Sequence, residues 1–136
     1  MASKPILTLE DARRVAAAAE AEAQKNEWKV TIAVVDDGGH LLYLQRNHDT
    51  RFGSVETAIA KAHMAAALHT PSKASEDAVQ SGRLIHLALP GVIPAEGGVP
   101  LLRDGVVIGA IGISGVRAFQ DGQIAAAGVS ALEKQG

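Results

Sequence analysis

Three polar positions far apart in the chain carry most of its chemical potential. His48 lies beside Asp49 in the polar run at 46–53, Lys61 interrupts an apolar helical stretch, and Glu96 precedes Gly97-Gly98. An imidazole exchanges a proton near neutral pH, and a neighbouring carboxylate orients it or raises its basicity. A lone ammonium on an apolar face costs free energy unless it reaches water, a carboxylate or an anionic ligand. A glycine pair exposes backbone N–H groups suited to an anion or oxyanion. Brought together, His48 and Glu96 would serve as catalytic acid and base. Lys61, Asp49, Gly97 and Gly98 would then hold the ligand. The structural alternative is that His48 and Glu96 are solvated, Lys61 reaches out to water, and the glycines only turn the chain.

Metal chemistry has little support. His40, His48, His63, His69 and His86 form no HxH or HExxH pattern, so no metal site is expected. The chain has no cysteine, which excludes disulfides, iron–sulfur clusters, thiolate zinc sites and c-type heme attachment.

These side chains must be positioned by a single domain, 1–136, since 136 residues suit one core. Thr8 and the acidic pair Glu10-Asp11 open a first helix whose apolar spacing runs to Asn26. Val30 to Val35 and Leu41 to Gln45 flank Asp36-Asp37-Gly38-Gly39 and read as a hairpin. Ser54 is expected to cap a helix through Leu68, with Val55, Ala58, Ile59, Ala62 and Ala66 on one face. Thr57, Met64 and Leu68 leave the opposite side apolar as well, flanked by Lys61, so both sides should be covered, the outer one by another subunit. A short helical piece follows at 75–81, then an apolar connector or third strand at 84–89. Asp104-Gly105 makes a second tight hairpin between Val99–Leu102 and Val106–Ile108. Ile124, Ala127, Gly128, Ala131 and Leu132 trace a final helix. The order implies an α+β fold, a three-layer α-β-α sandwich around a five-stranded antiparallel sheet.

Composition narrows the partners. Hydrophobic residues make up 47% and aromatics only 3%, so the core is aliphatic and alanine-rich, and association between subunits is an obvious way to bury more surface. A net charge of -2 with scattered Lys and Arg argues against nucleic acid. No run approaches the length of a membrane span, and no secretory signal is recognisable at the start, so a cytoplasmic protein without membrane contact is expected.

The segments AIAKAHMAAALHTPS, PGVIPAEGGVPLLRDGVVIGAIGISG and QDGQIAAAG, in this order, resemble the GlcG/HbpS-like heme-binding or "haem-degrading" family, related to the C-terminal domain of PduO-type proteins. Lys61-Ala62, Gly97-Gly98, Asp104-Gly105, Gly109 to Gly115 and Asp121 carry the match. The loop after Arg46 departs from it: Asn47-His48-Asp49-Thr50 stands where the family often has Met-Asp-Gly-Ala. Glu96 also stands where a basic or neutral residue is common. The resemblance implies a profilin-like sandwich, homo-oligomers and, for some members, heme or corrinoid-related binding. The expected function is therefore small-molecule binding, with heme as the suggested cofactor and His48 or His63 as an axial ligand. Two alternatives stand beside it. One is a cofactor-independent isomerase, lyase or deaminase using His48, Lys61 and Glu96, and the other is a structural or sensory assembly partner.

Overall fold

The computed structural model describes residues 1–134. Helix α1 spans Leu9–Lys25 and opens on a reciprocal cap: the Thr8 hydroxyl accepts from the Asp11 N–H while the Asp11 carboxylate accepts from the Thr8 N–H. Strands β1 (Thr31–Asp36) and β2 (Leu41–Arg46) form the first hairpin. Its turn is closed by the Asp36 carboxylate, which accepts from the N–H groups of Gly38 and His40, each at 2.9 Å. Helix α2 (Gly53–Leu68) and the short α3 (Lys73–Gln80) follow. Strands β3 (Gly98–Arg103) and β4 (Val106–Ser114) make the second hairpin, and α4 (Ala118–Glu133) completes the fold. The β3–β4 turn has the predicted chemistry: Asp104 and Gly105 take φ of 52° and 77°, the two positive values of a type I′ turn.

The sheet is antiparallel throughout, in the order β2-β1-β4-β3. Side chains alternate across it. Ile32, Val34, Ile111 and Ile113 pack with Val15, Ala19 and Ile124 of α1 and α4. Ala33, Val35 and Ala110 face the opposite way, against Ala58, Ala62, Ala65 and Ala66 of α2. One layer is thus built from branched aliphatics and the other from small residues. The register explains the second: Ala33, Gly112 and Gly98 lie side by side across β1, β4 and β3. A Cβ on Gly112 would lie 2.0 Å from the Ala58 carbonyl oxygen, and one on Gly98 would lie 2.2 Å from that of Lys61. The α2 backbone therefore rests directly on the sheet.

Two expectations need correction. The sheet has four strands, not five, because Leu84–Leu87 winds into a 3₁₀ turn whose apolar side chains stay largely exposed. A short unbroken apolar run lacks the alternation that separates strand from helix, and no strand edge recruits this one. Ser54 does not cap α2 either. It lies inside the helix, where its hydroxyl donates to the Arg51 carbonyl at 2.6 Å and pairs with Thr31 Oγ1 at 2.7 Å, tying the helix start to β1.

Candidate functional site

Lys61 projects from the sheet-facing side of α2 and is buried with its carboxylate partner. Its Nζ donates to Asp121 Oδ2 at 2.9 Å and to the Ile113 carbonyl at 3.0 Å. Both side chains are only 3% exposed. The ammonium reaches Asp121 by passing the end of the sheet where β3 begins and β4 ends. That passage requires Gly97: with φ of 136°, a Cβ there would lie 3.0 Å from Lys61 Nζ and 2.7 Å from the Ile113 oxygen. Asp121 Oδ1 accepts from the Val116 N–H at 3.3 Å, so the same carboxylate also holds the turn leading into α4.

Glu96 adjoins this pair. Its carboxylate lies over Gly122, where an added Cβ would come within 2.0 Å of Oε2, and its N–H donates to Glu76 Oε1 at 3.0 Å. Burial raises the Glu96 carboxyl above its ordinary value; Glu76 and Asp77 add to this while Lys73 and Lys61 oppose it. Burial likewise pushes Asp121 up to about 6, against the pull of Lys61 and the Val116 N–H. Ser72 closes the seam by exchanging hydrogen bonds with Gly98: its N–H donates to the Gly98 carbonyl and its hydroxyl accepts the Gly98 N–H, both at 2.9 Å.

Lys61, Glu96, Gly97 and Gly98 therefore gather as the sequence analysis expected, with Asp121 as the member it missed. In the sequence Asp121 stands only as a position that matches the family motif; the signal for its role was an aspartate followed by Gly122, together with an otherwise unexplained lysine at 61. His48 and Asp49 do not join them. Their loop leaves the same end of the sheet, but from β2, separated from β3 by β1 and β4. Three inter-strand spacings amount to about 14 Å. The His48 imidazole is largely exposed, 3.5 Å from Asp49, and lines a cleft with α1 instead. Within one chain the expected acid–base triad is not assembled, because its members approach the sheet from opposite edges.

A second, mainly apolar cleft of about 340 Å³ lies on the outer side of α2, between Glu56, Ile59, Ala60 and His63 and the segment carrying Gly91 and Ile93. Helical geometry separates the two regions: Lys61 and His63 are two positions apart, so one faces inward while the other is exposed. The His63 ring lies against Gly39 of the β1–β2 turn, where a Cβ would approach its Cδ2 to 2.7 Å. Two other groups near this face, a thioether and an imidazole, are engaged. Met64 is buried and its sulfur accepts the Ile93 N–H at 3.2 Å, while His86 Nδ1 pairs with the Ser75 hydroxyl at 3.0 Å. Among the described residues, no cluster of three or more His, Asp or Glu side chains is placed to hold a metal ion, and no helix is long and apolar enough to cross a membrane.

Comparison with known proteins adds four findings. Protein GlcG of Escherichia coli strain K12 is 43% identical over 114 residues, covering 84% of this chain and 85% of its own. The crystal structure of Klebsiella pneumoniae protein ORFY superposes with a TM-score of 0.88 at 30% identity, covering 97% of this chain and 94% of that one. The crystal structure of a PduOC:heme complex superposes with a TM-score of 0.83 at 33% identity, covering 93% and 95%. A family profile described as "Haem degrading protein HbpS-like" matches residues 7–130, and with these relatives it establishes that the chain belongs to the HbpS-like family.

Proposed function

We propose that this protein binds heme in the apolar cleft outside α2, with His63 as the axial ligand. The carrying observation is an exposed imidazole on an apolar helix face, with Ile59, Ala60 and Ile93 around it. A porphyrin needs apolar surface for its ring and a His, Met, Cys or Tyr for its iron. The cleft supplies the first, and His63 is the group free to supply the second. The solved heme complex of a family relative supports the reading. In this account the Lys61–Asp121 pair acts from the inner side of the helix. It fixes α2 against the sheet and so sets the position of His63, while Gly97 and Gly98 allow the close seating that this requires.

Heme bound here supplies redox-active iron, and the chain supplies orientation and an apolar surround. A second copy of the protein is the proposed cover for the outer apolar face, making the functional unit a homo-oligomer. The test is a titration of hemin into the purified protein. The expected result is a saturable Soret shift with defined stoichiometry, lost in His63→Ala and retained in His48→Ala. Loss in His48→Ala with retention in His63→Ala would move the axial role to the other imidazole, and no defined Soret shift in the unmodified protein would remove the heme reading.

A further inference from the structure

We infer that the cleft between α1 and β2 is a second small-molecule site, selective for a planar aromatic monocarboxylate. This cleft, about 290 Å³, is lined by the chain's sole tryptophan, Trp28, over the buried aliphatics Val30 and Ile32. Trp28 also borders a neighbouring cleft with Lys29, so its half-buried indole stands as a partition with accessible surface on two sides. Such a ring offers a planar ligand a stacking partner without the entropy cost of ordering a flexible side chain.

The rim is prearranged. The Arg46 guanidinium folds onto the following loop and donates to the carbonyls of Asn47, His48 and Thr50, the last at 2.6 Å. The Asn47 N–H donates to the Val30 carbonyl at 3.1 Å, anchoring the loop to β1. These bonds hold the loop as a fixed edge of the cleft. They also decide which polar atoms remain available. Gln45 Oε1 accepts the Tyr43 hydroxyl and Asn47 Oδ1 accepts the Asp49 N–H, each at 2.9 Å. Among the described residues the amide nitrogens of both side chains have no partner, so the rim offers donors whose matching acceptors are already taken. The complement of a donor-rich rim beside an aromatic wall is a ring bearing an acceptor-rich group, and a carboxylate is the strongest such acceptor. The opposite wall carries Glu20, which disfavours a second negative charge and limits the ligand to one carboxylate.

The site lies apart from His63, so its test does not depend on heme. Benzoate should quench the fluorescence of Trp28 saturably at millimolar concentration, and terephthalate, with its second carboxylate, should bind more weakly. Benzamide, which keeps the ring without the charge, and cyclohexanecarboxylate, which keeps the charge without the aromatic face, should each bind about tenfold more weakly or worse. Gln45→Glu and Asn47→Asp keep the acceptors that hold the rim while replacing each donor with a negatively charged acceptor, so each should weaken benzoate binding about tenfold or more. His63→Ala should leave it unchanged. No saturable quenching by benzoate, equal affinity for benzamide, or unchanged affinity in both rim variants would overturn the assignment.

Discussion

At the scale of single residues, Lys61 and Asp121 show how a buried charge is made tolerable. Each is almost wholly removed from water, and each reaches a backbone group besides its partner: the Ile113 carbonyl for the lysine and the Val116 N–H for the aspartate. Removing one partner strands the other, which typically costs about 3–5 kcal/mol. Asp121→Asn is therefore expected to lower the urea midpoint at neutral pH, by less than that figure, because the substitution also relieves the cost of burying the Asp121 charge that its raised pKa reflects. Its pH dependence has a definite sign. The Asp121 pKa rises from 3.8 to about 6 in the folded chain. Between those values the folded state retains a proton that the unfolded state has released, so this group's contribution to stability falls as pH rises through that window and is level above it. The difference in unfolding free energy between the native sequence and Asp121→Asn should accordingly vary between pH 4 and 6 and flatten beyond. A difference that is constant across the whole range would contradict the assigned titration.

At the scale of elements, the contact between α2 and the sheet shows why β4 carries glycine at position 112. Small residues bury less area each than Leu or Ile, so this layer gains through close backbone approach what it lacks in side-chain bulk. Gly112 is the tightest point, meeting the Ala58 carbonyl and the Ala62 backbone nitrogen. Both obstacles are main-chain atoms and neither can rotate aside. Gly112→Ala should destabilise the fold by about 3 kcal/mol or more, since the helix must lift from the sheet to admit one methyl group. Gly53→Ala is the control: a Cβ there meets nothing within 4 Å and should cost little. Chemical denaturation of the two variants makes the comparison, and equal midpoints would refute the proposed seating. Because α2 also carries His63, the Gly112 substitution should broaden or weaken the hemin response before the fold is lost.

At the scale of the whole molecule, apolar surface remains after the three layers have closed. Leu84, Ile85 and Leu87 are each more than half exposed and lie together in a single 3₁₀ turn. A concentration of aliphatic side chains like this is uncommon on an isolated soluble chain. Light scattering should return a mass above that of one chain, and replacing Leu84 and Leu87 together with lysine should reduce it while leaving the circular dichroism spectrum intact. A native protein already at the mass of one chain would remove the proposed homo-oligomer. The elements themselves were largely legible in local pattern. The α1 cap at Thr8, both hairpins, the Asp104-Gly105 turn and the order of the helices depend on neighbours within a few residues, where side-chain type and spacing act directly. The 84–89 segment was not legible, because an apolar run without period is compatible with several conformations.

The amino-acid sequence by itself determined which residues carry chemistry and which elements bear them: a lysine alone on an apolar helix, a carboxylate before two glycines, and a histidine in a polar loop. Only the tertiary structure decided their company. Strand order placed the His48 loop and the Lys61–Glu96 cluster at opposite edges of one sheet, and the close seating of α2 directed Lys61 inward to Asp121 while leaving His63 outside. The physical reason is that propensity and capping act over a few residues, whereas the meeting of positions 61 and 121 depends on how distant strands pair and how closely a helix can approach them.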